Sequence, residues 1–204
     1  YDDELVIAGQ GTIGLEILDQ LPDVGAVVVP VGGGGLLAGV AFAIKSLRPD
    51  VKIYGVQAAG AASMYNAYRD HTYETLDHVD TFADGIAVKT PGETTFKMIE
   101  QYVDGIVTVS EDEIAAAILA LMENQKLVAE GAGATPVAAA LFGKLPIEGK
   151  KTVCLISGGN IEFRFVCAAN WQANGKGALT KPNGGTIRWG GAGTADSPRI
   201  QIVP

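Results

Sequence analysis

Hydrophobic positions between Val6 and Ile161 alternate between short β-branched runs and longer stretches with helical spacing. The short runs predict buried strands at 26–31, 51–56, 104–109 and 151–156. The longer stretches predict helices at 36–47, 110–126 and 135–142, with a helix-like stretch at 94–102. This alternation of strands and helices predicts a three-layer α/β fold with an open, mostly parallel sheet.

Local signals place the ends of these helices. Ser110 and Glu113 have the spacing of a capping box, in which each side chain binds a free backbone N–H at the helix start. Pro136 suits the first turn of the helix predicted to begin at 135, because its missing N–H is not needed there. Arg48 and Pro49 are expected to stop the helix that begins at 36.

The pattern ends near Glu162, where the composition changes. We therefore divide the chain into an α/β domain at 1–162 and an atypical, glycine-rich basic tail at 163–204. The tail has a net charge of +4 and holds both tryptophans, Trp171 and Trp189. It is expected to be extended or hairpin-like. Its origin stays open between a docking segment with aromatic anchors and a foreign end left by truncation.

Composition excludes several classes of protein. With 48% hydrophobic and 19% charged residues, the chain is not intrinsically disordered. Its net charge of −8 makes nucleic acid a poor partner, and no apolar stretch reaches the ~18 residues of a membrane span. Two cysteines, Cys154 and Cys167, are too few for a disulfide scaffold and fit a reducing cytoplasm. The acidic start does not resemble a signal peptide, and a first residue other than Met indicates a fragment or a processed product.

Four consecutive glycines lie between a predicted strand and the predicted helix that begins with Leu36. They are Gly32, Gly33, Gly34 and Gly35, which we call the glycine loop. Residues without a Cβ let the backbone turn sharply and point several N–H groups at one ligand, and the following helix adds its positive end. The loop therefore predicts an anion site, with a flexible turn as the alternative. It fits neither the dinucleotide nor the Walker pattern, so a mononucleotide-like or cofactor phosphate is favoured.

A second turn follows the last predicted strand, as Ser157, Gly158, Gly159 and Asn160. Because ligands gather at the carboxyl ends of parallel strands, this turn and the glycine loop are expected to share one crevice. Ser157 could offer its hydroxyl to a ring nitrogen there, or the segment is a plain strand-to-loop turn.

Glu130 is a lone carboxylate among small residues, between two predicted helices. It suits proton transfer near a ligand, and a solvated charge at a helix end is the alternative. Asp84-Gly85 is a comparable pair, with turn formation as its alternative. The polar surroundings of His71 and His78 favour surface histidines over a metal site, so no bound metal is expected. Lys97 is expected to be an exposed helix lysine.

Six short segments occur in order along the chain: Gly9-Gln10-Gly11-Thr12-Ile13, Pro30-Val31-Gly32-Gly33-Gly34-Gly35-Leu36, Ala83-Asp84-Gly85, Val109-Ser110-Glu111-Asp112-Glu113-Ile114, Glu130-Gly131-Ala132-Gly133 and Ser157-Gly158-Gly159-Asn160. Together they resemble the threonine ammonia-lyases (threonine dehydratases or deaminases) of the short, catabolic type. Those are fold-type II pyridoxal-phosphate enzymes and relatives of serine racemase. The resemblance runs from Tyr1 to about Glu162, and it implies the larger α/β domain of that fold with the smaller domain missing.

The resemblance implies three roles around pyridoxal phosphate. The glycine loop and Leu36 would hold the cofactor phosphate. Ser157, with Gly158 beside it, would face the pyridine nitrogen. Glu130 would lie near the ring.

Parts of the family pattern are not found in these 204 residues. The Schiff-base lysine belongs to a Ser-Phe-Lys-x-Arg motif upstream of the glycine loop, and the asparagine segment at the pyridine ring is also missing. Lys97 is downstream of the loop and does not correspond to that lysine. Gln57 and Ser63 stand where the cation-binding members of the family have acidic side chains.

The implied function is that of an L-threonine or L-serine ammonia-lyase, which releases ammonia and a 2-oxo acid. Pyridoxal phosphate would be bound non-covalently or not at all, so activity of this chain alone would be weak or independent of the cofactor. The alternatives are a non-catalytic anion- or cofactor-binding fragment and one half of a split enzyme. Uncovered apolar surface predicts a homo-oligomer or an amino-terminal partner chain.

Overall fold

The computed structural model describes residues 1–161 and the backbone of 178–180 and 186–188. Its helices and strands, in chain order, are α1 (Glu4–Gln20), β1 (Ala26–Pro30), α2 (Gly35–Leu47), β2 (Lys52–Ala58), α3 (Ser63–Asp70), α4 (Glu93–Tyr102), β3 (Gly105–Val109), α5 (Glu111–Ala120), α6 (Gly131–Leu141), β4 (Thr152–Cys154), β5 (Ala178–Thr180) and β6 (Thr186–Arg188). No helix in the described part of the chain is long and apolar enough to cross a membrane.

Among the described residues, four parallel strands form the central sheet in the order β3-β2-β1-β4. Val28 of β1 lies opposite Tyr54 of β2 on one side and opposite Cys154 of β4 on the other. Every residue of β1 is buried, which explains its unbroken β-branched run. The predicted open, parallel sheet is confirmed.

Alternate residues of β1 belong to two separate hydrophobic cores. Val28 belongs to the core that includes Ile114 of α5 and Val137 of α6. Val27 and Val29 belong to the other core, which draws residues from α1, α2, α3 and α4. Because successive side chains of a strand point to opposite faces, helices cover both faces of the sheet, and the three-layer prediction is confirmed.

Neither α1 nor α3 is predicted by the sequence pattern. α1 runs for 17 residues, and Asp3 caps it by accepting hydrogen bonds from two first-turn amides at 2.9 and 3.1 Å. A Cβ on Gly39 of α2 would overlap the carbonyl oxygen of Ile7 and lie 2.8 Å from the Gly11 nitrogen. The two helices therefore touch backbone to backbone, and glycines that interrupt the apolar spacing are what permit this contact.

The predicted capping box at α5 is confirmed. The Ser110 N–H donates to Glu113 Oε2 at 2.8 Å, and the Glu113 N–H donates to Ser110 Oγ at 3.2 Å. The regular helix ends at Ala120, before the predicted end at 126, and a π turn over Leu121–Gln125 follows it.

The predicted start of α6 is wrong by four residues, because the helix begins at Gly131. Pro136 is therefore inside the helix and not in its first turn. The proline lacks the N–H that would bind the carbonyl of Ala132. The hydroxyl of Thr135 donates to that carbonyl instead, at 2.9 Å, so the helix continues through the proline.

The tail contributes one described feature. β5 and β6 pair antiparallel, with Leu179 opposite Ile187. The rest of the tail, including Trp171 and Trp189, lies outside the described residues. Its docking role, its foreign origin and the boundary at 162 stay predictions.

Candidate functional site

The two turns singled out from the sequence lie at the same edge of the sheet. The glycine loop follows β1, and Ser157 follows β4, which is its neighbour in the sheet. The pairing of Val28 with Cys154 continues as a hydrogen bond from the Leu155 N–H to the Val28 carbonyl at 2.9 Å. The carboxyl ends of both strands therefore open at one crevice.

The glycine loop has the backbone of a tight turn into α2. Gly34 caps the helix with a φ of 101° and a ψ of −9°, in the left-handed region that favours glycine. A Cβ there would lie 2.7 Å from Met64 Cε and 2.8 Å from Thr95 Oγ1. Within the described residues, the amides of Gly33, Gly34 and Gly35 have no hydrogen-bond acceptor. Three neighbouring N–H groups at a helix start are thus unpaired, as in an anion site, in a buried turn where Tyr1 packs against Gly33 and Gly35.

The start of α4 holds the glycine loop from one side. The carbonyl oxygen of Gly33 accepts hydrogen bonds from the hydroxyl of Thr95 at 2.6 Å and from the N–H of Gly92 at 3.1 Å. Thr95 is completely buried. These contacts fix one peptide group of a loop that has no side chains of its own.

The first two residues complete this arrangement, and sequence reasoning missed them. The carboxylate of Asp2 accepts hydrogen bonds from the N–H groups of Glu93 and Thr95, at 2.9 and 3.0 Å, and so caps α4. The Tyr1 ring lies where a Cβ of Gly33 would be, and its hydroxyl donates to the Thr90 carbonyl at 3.0 Å. Packing against Tyr1 therefore requires glycine at position 33.

Glu130 lies at the second turn. As the N-terminal cap residue of α6, it donates its N–H to the Gly158 carbonyl at 3.1 Å. Its Oε1 lies 2.6 Å from where a Cβ of Gly158 would be and 3.3 Å from that position at Gly85. The structure thus brings Glu130 together with the Asp84-Gly85 pair and the Ser157 turn. The Glu130 side chain is half-buried and Ser157 is exposed at the sheet edge.

The other sequence candidates lie outside this site. Lys97 is an exposed helix residue whose Nζ pairs with Glu93 at 2.9 Å, as expected. The Nδ1 atom of His71 lies 2.9 Å from Glu100 Oε1 on the surface. In the described residues, no three His, Cys, Asp or Glu side chains come together as a metal site would need.

Gln57 and Ser63 form a buried neutral pair. The Gln57 amide nitrogen is 3.5 Å from Ser63 Oγ, and the Ser63 hydroxyl donates to the Val88 carbonyl at 2.8 Å. Gln57 Oε1 accepts from the Tyr65 N–H at 2.9 Å. Both side chains already have partners within the protein, and neither carries a charge for a cation.

The unpaired amides of the glycine loop have the chemistry of a phosphate site. Unpaired amides at the start of a helix suit a dianion, because they combine N–H donors with the positive end of the helix dipole. The places of the Cβ atoms at Gly33 and Gly34 are filled by other parts of the protein, so a side chain could not be accommodated there. Ser157 Oγ has no hydrogen-bond partner among the described residues and can bind a ligand atom.

Comparison with known proteins gives consistent relatives. The chain is 55% identical over 166 residues to the L-threonine ammonia-lyase of Thermotoga maritima, and the aligned region covers 81% of this chain and 41% of that protein. It is 50% identical over 168 residues to the catabolic L-threonine dehydratase of Escherichia coli K12, and that alignment covers 81% of this chain and 51% of that protein. The chain thus spans about half the length, or less, of these relatives.

Solved structures agree. The processed form of threonine deaminase isoform 2 from Solanum lycopersicum superposes with a TM-score of 0.79 at 42% identity, over 85% of this chain and 51% of that one. Serine racemase from Dictyostelium discoideum superposes with a TM-score of 0.74 at 37% identity, over 79% of this chain and 52% of that one. A family model described as "pyridoxal-phosphate dependent enzyme" matches residues 1–159. The chain belongs to this family of pyridoxal-phosphate dependent enzymes.

Proposed function

We propose that this chain binds the phosphate of pyridoxal phosphate and forms the large-domain part of an L-threonine or L-serine ammonia-lyase. The observation that carries the proposal is the set of acceptor-free amides of Gly33, Gly34 and Gly35 at the start of α2. Relatives named as threonine ammonia-lyase and threonine dehydratase, at 50–55% identity, support the substrate class. The products of the proposed reaction are a 2-oxo acid and ammonia. A chain with so few cysteines fits the reducing environment of the cytoplasm.

Each residue of the site has a distinct task in this proposal. The amides of the glycine loop and of Leu36 bind the phosphate, and the α2 dipole favours its two negative charges. Ser157, next to Gly158, hydrogen-bonds the ring nitrogen. Glu130 lies near the ring, where its carboxylate can take part in proton transfer. When bound, pyridoxal phosphate supplies an electron sink next to the substrate α-carbon.

The lysine that the family uses is not among the residues of this sequence, since no Ser-Phe-Lys-x-Arg motif occurs. The full reaction then needs a lysine from outside these 204 residues. Deamination by this chain alone would depend on Glu130 or another retained base, and general acid–base catalysis alone contributes only about 10²–10⁴-fold.

Two measurements test the proposal. Absorbance of the purified chain with pyridoxal phosphate, before and after borohydride, should show saturable binding without a covalent adduct that survives reduction. Ammonia release from L-threonine and L-serine should be weak, with or without added cofactor. Absence of any saturable binding would contradict the cofactor role, and a reduced adduct at a lysine would contradict the non-covalent one.

A second candidate is that the chain is one half of a split enzyme. β4 is an edge strand among the described residues, and it borders an apolar groove of about 500 Å³ that α1 and residues 127–128 also line. Exposed apolar groups of this kind favour association. Sedimentation of the chain alone tests for a homo-oligomer. Mixing it with a separately expressed amino-terminal half of a threonine dehydratase tests for a complex, and restored deamination of L-threonine would favour the split enzyme.

A further inference from the structure

Thr95 is a buried polar residue whose hydroxyl is committed to the glycine loop. It lies in the first turn of α4 and is completely buried. Its Oγ1 lies 2.6 Å from the Gly33 carbonyl oxygen and 3.1 Å from that of Gly92. A valine at position 95 would have nearly the same shape as threonine, without a buried hydroxyl whose desolvation costs free energy. What the hydroxyl adds is therefore its hydrogen bonding, and the shorter of its two contacts is the one to the Gly33 carbonyl.

The orientation of that carbonyl sets the orientation of an amide. In a trans peptide, the C=O of Gly33 and the N–H of Gly34 point in opposite directions. The peptide bonds of the loop are trans, so holding the Gly33 carbonyl toward α4 directs the Gly34 N–H away from α4. Glycine can adopt many backbone conformations, and Gly34 has no side chain that would hold its left-handed conformation.

We propose that Thr95 is a positioning residue, which orients the Gly34 amide toward the cofactor phosphate and so favours phosphorylated ligands. This inference rests on the proposed function. Asp2 supports it, because its carboxylate accepts the N–H of Thr95 at 3.0 Å and that of Glu93 at 2.9 Å. The beginning of the chain, the start of α4 and the glycine loop thus form one connected hydrogen-bond network.

The test compares ligands that differ only in the phosphate. Binding of pyridoxal phosphate, pyridoxal and inorganic phosphate is measured by calorimetry for the full chain and for Thr95→Val and Thr95→Ser. Thr95→Val should weaken binding of both phosphate-bearing ligands by about tenfold, as expected for one hydrogen bond to a charged group, and should leave pyridoxal unchanged. Thr95→Ser should bind within about twofold of the unchanged chain. Thr12→Val removes a hydroxyl that donates to the Gly9 carbonyl in α1 at 2.7 Å and should change none of the three.

The outcomes separate this inference from the proposed function. If the unchanged chain binds pyridoxal phosphate no better than pyridoxal and ignores phosphate, both are overturned. If it prefers phosphate and Thr95→Val keeps that preference, only the role of Thr95 is overturned. Should Thr95→Val not fold, amide NMR of the unchanged chain decides. Phosphate should shift the Gly34 N–H resonance and leave that of Gly9 in place, and an unshifted Gly34 resonance would contradict the inference.

Discussion

Cys154 shows how the environment of one residue sets its chemistry. Burial raises the pKa of its thiol to about 12, and its Sγ lies 3.7 Å from the Pro136 carbonyl oxygen. Because the thiolate is the reactive form, Cys154 should react with Ellman's reagent at pH 8 at least about tenfold more slowly than glutathione. The rate should keep rising above pH 10. A Cys167→Ser background isolates the signal, and a rate that levels off near pH 9 would contradict the shifted pKa.

Single residues also show where prediction from sequence stops. Glu130, Ser157 and the glycine loop are identifiable as candidates, because unusual residue types follow predicted strands and helices. Asp2 and Thr95 are not, because Asp2 binds an amide 93 positions away and Thr95 a carbonyl 62 positions away. No local pattern encodes such contacts.

The contact between α1 and α2 depends on glycine at particular positions. Gly39→Ala would force its Cβ into the Ile7 carbonyl oxygen and to 2.8 Å from the Gly11 nitrogen. Since backbone atoms cannot rotate away, urea denaturation should show a loss of about 1–3 kcal/mol or more. Gly9→Ala is the matched control, because nothing lies within 4 Å of its Cβ position. That variant should be neutral or more stable by up to about 1 kcal/mol. Equal effects of the two substitutions would contradict the helix contact.

Asp104, the residue before β3, joins α2 to β2. Its carboxylate lies 2.7 Å from Lys45 Nζ and 2.8 Å from Lys52 Nζ, and it accepts the Ile53 N–H at 2.8 Å. Burial works to raise the pKa of Asp104, but the hydrogen bonds from these groups outweigh it and lower the pKa below its ordinary value. The carboxylate thus stabilises the folded chain in its charged form.

The pH dependence follows from that direction. Stability from a lowered carboxyl pKa is fully present above the ordinary value of about 3.9 and is lost as pH falls through the folded pKa. Asp104→Asn should therefore cost about 1–3 kcal/mol at pH 5–7, and the cost should shrink below about pH 4. Asp50→Asn, which removes an exposed pair with Arg48, should cost little. Urea denaturation across this range checks both, and a cost that grows toward acid would be contrary to this sign.

Elements divide into those with a local signature and those without. β1, β2 and β3 are predictable because β-branched runs mark buried parallel strands, and α5 is predictable because its capping box is local. α1 is not, since the glycines that its packing against α2 requires interrupt the apolar spacing. The predicted start of α6 is wrong because it relies on the preference of proline for the first turn of a helix. The Thr135 hydroxyl binds the Ala132 carbonyl, and this permits Pro136 to lie further inside the helix.

At the scale of the whole molecule, the order of the strands in the sheet assembles the candidate site from distant segments. The order β3-β2-β1-β4 places segments that are more than a hundred residues apart in sequence at one edge. The glycine loop and the Ser157 turn lie at the same edge because β1 and β4 are parallel neighbours. Helix α4 packs on the same face of the sheet as α2 and contacts the loop through Thr95. Alternation of strands and helices predicts the parallel sheet, but not which strands are adjacent.

If the assembled edge binds the cofactor phosphate, binding must also stabilise the whole fold. A ligand at about 100 times its dissociation constant adds about 2.7 kcal/mol when it binds only the folded state. For a chain of this size that is a rise of roughly 5–10 °C in melting temperature. Pyridoxal phosphate should give this rise and pyridoxal a smaller one. Gly34→Ala places a Cβ at a φ of 101° and 2.7 Å from Met64 Cε, so the rise should disappear even though that variant melts lower on its own. An equal rise in Gly34→Ala would mean that the cofactor acts elsewhere, for instance on surface lysines, and that the glycine loop does not hold its phosphate.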